Sequence, residues 1–276
     1  MTLKIAFVGV GNMASAIIGG LRASGYSGDA IVGSSINVED HPRLEQRFGM
    51  TMYADNKEAV AVADVVFLCV KPNLLQSVVE EFATVVRPEQ LFVSVAAGIE
   101  IGALESWLGQ PVAVVRSMPN TPALVGAGMS GLIANERTSE DQKNWVANAF
   151  DSFGSHVWIE DEAQMHTVTA LSGSAPAYFF RMLEVMIEAG VAQGLDEATS
   201  RKLSTYAMKG AAAMVTELDE DIAQLRKNIT SPNGTTQAAL ETLEEQGIQS
   251  LMTAAVDACA ERSKELGKID KDVLKI

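Results

Sequence analysis

Five near-continuous apolar runs punctuate the first half of the chain: Leu3–Gly9, Ile31–Ser35, Val65–Val70, Leu91–Ala96 and Val112–Ser117. A strand buried on one face alternates apolar with polar residues, whereas a parallel strand covered on both faces reads as one apolar run. Segments with helical spacing lie between the runs, at Met13–Ser24, Arg43–Phe48, Asn73–Val85 and Ile101–Leu108. This alternation predicts an α/β fold, a doubly wound sheet with right-handed crossovers. Two further strands, Gly128–Ala134 and His156–Glu160, flank a helix at Ser139–Phe153 and are expected to extend the sheet at one edge.

Beyond about residue 160 the strand pattern stops and only helical spacing remains. The clearest stripe pairs Tyr178/Phe179, Met182/Leu183, Met186/Ile187 and Gly190/Val191, apolar positions every fourth residue. Its simplest reading is helix packing in a core. Asp196–Glu217 and Gln249–Leu266 follow the same pattern, with Gly194 as a stop and Asp196 as an N-cap. Two domains are therefore expected, residues 1–160 around the sheet and 161–276 all helical. A helical half this apolar and this short is expected to bury part of itself against a second subunit.

Composition narrows the partners. The 276 residues carry 21 Lys+Arg against 35 Asp+Glu, a net charge of −14. Such a surface repels phosphate backbones and anionic lipid, so neither nucleic acid nor membrane is expected as a partner. An anionic ligand must be held by local features. With only Cys69 and Cys259 there is no disulfide framework, which points to a reducing cytoplasm. The apolar stretch at the N-terminus is too soon interrupted for a signal peptide, and no apolar run reaches a membrane span. No HExxH or clustered His and Cys marks a metal site; the acidic run Asp219-Glu220-Asp221 reads as a solvated helix start.

The chemistry begins at Gly9-Val10-Gly11-Asn12-Met13-Ala14, which follows the first run directly and opens a helix. This is GxGxxA, a variant of the dinucleotide fingerprint in its required strand–turn–helix context. Gly9 permits the tight turn, Gly11 lets backbone approach a pyrophosphate, and Ala14 lets the helix pack on the strand. The pyrophosphate then meets free N–H groups at the helix N-terminus. NAD enzymes place an acid at the end of the second strand, about 20 residues on, to hold the ribose 2′-OH. Here the strand ends Gly33-Ser34-Ser35-Ile36-Asn37, with no acid until Glu39. Hydroxyls and an amide suit a 2′-phosphate, so NADP, with NADPH preferred over NADH, is expected. No Arg follows immediately, and Arg43 and Lys57 are the available supports; Ser34 and Ser35 are also what an ordinary turn contains. Val70-Lys71-Pro72 and Ala96-Ala97-Gly98 end two other runs, where open α/β sheets bind ligands.

Three turn-rich segments stand out from the apolar background: Met118-Pro119-Asn120-Thr121-Pro122, Leu171-Ser172-Gly173-Ser174-Ala175-Pro176-Ala177-Tyr178, and Ser231-Pro232-Asn233-Gly234-Thr235-Thr236. The last precedes a helical pattern, Gln237–Glu245. Unpaired amides at such a terminus suit a carboxylate, although Thr235 or Thr236 acting simply as N-cap is the commoner arrangement.

These segments, in order, resemble the pyrroline-5-carboxylate reductase family over essentially the whole chain: the GNMA loop, VKP, AAG, MPNTP, GSxPAY and SPxGTT. The resemblance implies a Rossmann-type domain followed by an all-helical dimerisation domain. It implies reduction of L-1-pyrroline-5-carboxylate to L-proline with NAD(P)H, in a dimer with interleaved helices that is often assembled into a ring of dimers. Val8, Gly9, Val10, Gly11, Asn12, Met13, Ser35, Asn37 and Asn56 match the family's cofactor positions. So do Cys69, Val70, Lys71, Pro72, Ala96, Ala97, Gly98 and Asn228, and Ser34 joins them from the strand end. Thr235 and Thr236 match the loop whose amides hold the substrate carboxylate, and Thr236 matches the hydroxyl on the ring nitrogen, the expected catalytic group. Ser231, Asn233 and Gly234 of the same loop, with Asn120, complete the expected substrate site.

Two residues depart from the family's pattern. Ala175 stands where GSGPAY has Gly, which costs something if that position needs positive φ or close ligand approach. Asn233 stands where SPGGTT has Gly, a milder change because Asn tolerates the left-handed conformation. No catalytic His is apparent. His41 and His156 lie away from the loops, and His166, just ahead of Leu171, reads as structural. A related imine reductase or β-hydroxyacid dehydrogenase would need a Lys or Asp on the long helix, where Ser174–Val191 offers Arg181 but no Lys. A non-catalytic, dimeric NADP-binding sensor would explain the glycine loop and leave SPNGTT without a purpose.

Overall fold

The computed structural model of the protein describes residues 2–273, with side chains to residue 266. In chain order the elements are β1 (Ile5–Val8), α1 (Asn12–Ala23), β2 (Ile31–Ser34), α2 (His41–Phe48), β3 (Thr51–Tyr53), α3 (Asn56–Ala61), β4 (Val65–Leu68), α4 (Pro72–Phe82), β5 (Leu91–Ser94), α5 (Ile101–Leu108), β6 (Ala113–Met118), β7 (Gly128–Ala134), α6 (Glu140–Asp151) and β8 (Gly154–Trp158). Helices follow: α7 (Met165–Val168), a π-helical turn Thr169–Gly173, α8 (Ala175–Ala192), α9 (Glu197–Glu217), α10 (Ile222–Asn228), α11 (Thr235–Glu245) and α12 (Ile248–Val273).

The strands form one sheet in the order β3-β2-β1-β4-β5-β6-β7-β8. All pairs are parallel except β6 with β7. The period of two along each strand sends alternate residues to opposite faces. Ile5, Phe7, Val65 and Phe67 join α1, α2 and α6 through Ile17, Leu44 and Phe150. Ala6, Val8, Val66 and Leu68 join α3, α4 and α5 through Val60, Val79 and Leu104. Helices thus cover both faces, which is why these strands read as unbroken apolar runs. β7 and β8 extend the sheet beyond β6, as expected, although β8 begins two residues before His156.

β3 and α3 escaped the periodicity because each is shorter than the window that reveals a period. Their local signals are Thr51-Met52-Tyr53, a branched–aromatic run, and Asp55, whose side chain accepts from Lys57 N and caps α3.

By compactness the described chain divides into a first unit, Met1–Ser174 with Cys259–Ile276, and a second, Ala175–Ala258. The strands end at Trp158, close to the expected change of class, but α7 and the end of α12 cluster with the sheet. His166 on α7 shows one tie: its Nδ1 lies 2.9 Å from Ser263 Oγ on α12.

In the second unit, Asp196 caps α9 as expected, accepting from Thr199 N (2.9 Å) after Gly194 at φ +98°. Asp221 caps α10, so the acidic run is a helix start. Gly190 of α8 faces Ser200 of α9 so closely that a Cβ would stand 2.7 Å from Ser200 Oγ. The apolar stripe departs from its core reading: Phe179, Met182, Met186 and Val191 are exposed in the single chain. Among the described residues no helix is long and apolar enough to cross a membrane.

Candidate functional site

Chain order reverses between β1 and β4, since β2 and β3 lie to one side and β5 and β6 to the other. Ligands of open α/β sheets bind at this switch point, beyond the strand C-termini. Here the C-terminal ends of β1, β2, β4 and β5 bring together the Gly9 turn, Ser34-Ser35, Cys69–Pro72 and Ala96–Gly98.

Gly9 sits at φ +87°, and a Cβ there would stand 2.6 Å from Val70 Cγ1. Both facts demand glycine. Its N–H donates to Ser34 O (2.9 Å), and Cys69 N donates to Val8 O (2.8 Å), which locks the turn to both neighbouring strand ends. Gly11 is the N-cap of α1 with no side-chain cap, and nothing lies within 4 Å of where its Cβ would be. The start of α1 therefore offers amides and open space, the fit a pyrophosphate needs. Ser34 is fully buried, and its Oγ has no hydrogen-bond partner among the described residues. Lys71 is exposed at the N-cap of α4 with Pro72 following it. Burial pushes the Cys69 thiol above the ordinary cysteine range.

The 2′ side of the site is more closely bonded than the sequence suggests. Ser35 Oγ donates to Asn37 O (3.3 Å) and lies 3.2 Å from His41 Nε2. Asn37 Nδ2 donates to Asp40 (2.6 Å), which also pairs with Arg43 at 3.4 Å. His41, remote from the turn-rich loops in sequence, belongs to this one because α2 starts at His41 and its first turn folds back onto the strand end. Asn56 Nδ2 donates to Glu81 (3.3 Å).

In the second unit, Gly234 is the N-cap of α11 and has no side chain to close it. Thr235 and Thr236 are the first two helical residues, so neither is the cap. Asn233 holds φ +56° and is the one non-glycine residue with positive φ among the described residues. Its N–H donates to Gln237 Oε1 (2.8 Å) and Gly234 N donates to Ser231 O (3.0 Å), which fixes the turn. The amides of Thr235 and Thr236 have no acceptor among the described residues. Ala175, the other departure, opens α8 in helical geometry without positive φ, so it carries no backbone strain. Asn228 is engaged locally, donating to Glu220 (3.0 Å) and accepting from Gln224 (2.8 Å). Arg181 is exposed and paired with Glu184 at 3.0 Å.

Asn120 behaves differently from its expected role as a substrate ligand. It is 7% exposed; its Nδ2 donates to Ser172 O (3.1 Å), and its Oδ1 accepts from Met129 N (2.9 Å). The side chain clamps the loop after β6 to β7 and to the π-helical turn. A second clamp was invisible in the sequence. Arg116 of β6, 2% exposed, pairs at 2.8 Å with Glu162, whose same oxygen accepts from Ile101 N at the start of α5.

A glycine turn at the switch point of a parallel sheet, with a helical unit beside it in sequence, defines a dinucleotide-dependent oxidoreductase. Residues 4–98 match the family described as NADP oxidoreductase coenzyme F420-dependent, and residues 162–266 match pyrroline-5-carboxylate reductase dimerisation. The Pseudomonas aeruginosa pyrroline-5-carboxylate reductase is 44% identical over 97% of this chain and 98% of its own. Among solved structures, a pyrroline-5-carboxylate reductase from Coxiella burnetii superposes with a TM-score of 0.93 at 37% identity, covering 96% of this chain and 99% of its own. The Plasmodium falciparum pyrroline carboxylate reductase with NADP bound gives 0.84 at 31%, covering 96% and 98%. The chain belongs to the pyrroline-5-carboxylate reductase family.

Proposed function

We propose that the chain reduces L-1-pyrroline-5-carboxylate to L-proline, with NADPH preferred over NADH, as a homodimer of the cytoplasm. The observation that carries the substrate reading is the start of α11: a glycine N-cap, a left-handed Asn233 and two threonine amides without acceptors. Such a terminus favours a carboxylate. In this reading the amides of Thr235 and Thr236 hold the substrate carboxylate, with Ser231, Asn233 and Gly234 shaping the loop. The Thr236 hydroxyl hydrogen-bonds the ring nitrogen.

The nicotinamide, when bound, supplies the hydride that adds to C5 of the imine. Gly9 to Met13 hold the pyrophosphate on α1, and Ser34, Ser35 and Asn37 face the ribose phosphate. Val8, Cys69 to Pro72 and Ala96 to Gly98 line the strand ends, with Asn56 and Asn228 as further contacts. The substrate enters with its ring nitrogen protonated, so hydride addition gives the neutral amine and no strong protein acid is required. Thr236 then orients the C=N bond and stabilises the developing amine, and positioning supplies most of the rate. The buried, unpartnered Ser34 Oγ and the lack of a strand-end acid support NADPH. The exposed apolar stripe of α8 supports the dimer, and assembly into a ring of dimers is the further step that sedimentation tests.

Loss of 340 nm absorbance with pyrroline-5-carboxylate tests this reading. We expect turnover favouring NADPH, and a fall in kcat/KM of roughly tenfold or more in Thr236→Ala. A full rate in Thr236→Ala removes the mechanism and leaves the activity. No turnover with either donor points to another imine substrate or to an NADP-binding sensor, which L-proline would fail to stabilise thermally in the presence of NADP⁺.

A further inference from the structure

A 2′-phosphate reader needs a cation, and the strand end of β2 offers none in sequence: the run Ser34-Ser35-Ile36-Asn37-Val38-Glu39-Asp40 holds hydroxyls, an amide and two acids. On a chain of net charge −14 that lack is costly for a dianion. Four basic side chains follow: His41, Arg43, Arg47 and Lys57. Arg47 lies over the Phe48 ring, 4.7 Å from its centroid. Arg43 pairs with Asp40. Among the described residues no hydrogen bond or ion pair brings Lys57 to the serines. His41 is the one whose side chain is bonded to the serine pair.

The geometry is specific about the ring. His41 Nε2 lies 3.2 Å from Ser35 O as well as 3.2 Å from Ser35 Oγ. A carbonyl oxygen only accepts, so Nε2 carries a hydrogen and donates. Ser35 Oγ directs its own hydrogen to Asn37 O. The imidazole therefore holds Ser35 by its backbone, and an incoming phosphate oxygen competes with Asn37 O for the hydroxyl's hydrogen, the existing bond being a long one at 3.3 Å. A charged donor makes the stronger, charge-assisted hydrogen bond to a phosphate. Asp40 does not cancel that charge directly, since its carboxylate already receives Asn37 Nδ2 and Arg43.

We infer that His41 is a specificity-determining residue that supplies the positive charge for the 2′-phosphate of NADP(H) and positions Ser35 against it. This rests on the proposed use of NADPH. Titration calorimetry with NADP⁺, NAD⁺ and 2′,5′-ADP on the wild type, His41→Gln and His41→Arg tests it without turnover. Glutamine keeps a donor for Ser35 O but carries no charge, and arginine restores the charge.

We expect His41→Gln to raise the Kd of NADP⁺ and of 2′,5′-ADP about tenfold and that of NAD⁺ by less than about twofold, the scale of one charged hydrogen bond. His41→Arg should keep tight NADP⁺ binding. Equal weakening of NADP⁺ and NAD⁺ in His41→Gln would show a structural clamp only and overturn the inference. Unchanged binding of both would overturn it as well, with the NADPH reading intact. Equal affinity of the wild type for NADP⁺ and NAD⁺ would remove the NADPH reading itself and the inference with it.

Discussion

In the first unit, Phe7, Phe67 and Phe92 of the sheet and Phe150 of α6 are shut from solvent, and Phe7 stacks on Phe67 with ring centroids 4.8 Å apart. In α8 the equivalent investment of apolar surface lies open: Phe179 is 51%, Phe180 61% and Met186 49% exposed. Of the second unit's larger apolar side chains, Leu225 is the buried one among the described residues. The first unit closes its core within one chain. The second presents an apolar face that soluble monomers rarely leave open, and its residues fall in the segment matching a dimerisation family. Similar apolar content thus stabilises in two ways, one independent of protein concentration and one dependent on it.

The largest test of that contrast pairs Phe67→Ala with Met186→Asp. Truncating Phe67 should cost about 3–5 kcal/mol of unfolding free energy, independent of protein concentration. Met186→Asp should instead shift sedimentation toward the monomer and remove the concentration dependence of Tm. A monomeric wild type, or a Met186→Asp protein that stays dimeric, would break the comparison.

The two glycine-capped helix starts sharpen it at the level of the ligand loops. Gly9→Ala must place a side chain at φ +87° and against Val70. The left-handed conformation alone costs about 1–2 kcal/mol, so NADP⁺ binding measured by calorimetry should fall by about tenfold or more. At Asn233, φ +56°, Asn233→Ala should be milder, raising KM for the imine and costing about 1 kcal/mol or less, with Asn233→Gly close to wild type. An Asn233→Ala protein equal to Asn233→Gly would mean the left-handed turn is not needed.

The smallest effect concerns the tie between α7 and α12. Burial first, then the positive charges of Arg116 and Lys264, hold the His166 pKa below the usual histidine value. The unfolded chain therefore binds this proton more readily than the folded one, and stability rises with pH across the window between the two values. The contribution is whole above about pH 6.5 and is lost as the pH falls through the folded value. Between pH 7.5 and 5.5 the wild-type Tm should drop about 2 °C further than that of His166→Gln. Parallel curves would show that His166 does not titrate in that window.

Local sequence determined much of this molecule. The unbroken apolar runs fixed the parallel strands, GxGxxA fixed the turn after β1, and Asp196 and Asp221 fixed helix starts, because each signal lies within a few residues of what it specifies. Asn233 shows the same: a residue tolerant of the left-handed region sits where the backbone takes it. What the sequence could not determine depends on partners distant in the chain. Asn120 reads as a loop ligand until Ser172 and Met129 occupy its amide, 52 and 9 residues away. Arg116 reads as a strand charge until Glu162 meets it. His41 joins the cofactor loop only through the fold-back of α2 onto β2. The stripe of α8 has the period of a core helix whether its cover is another helix of the same chain or a second molecule, since periodicity records which face is apolar and not what buries it. Only the tertiary structure shows that face still open.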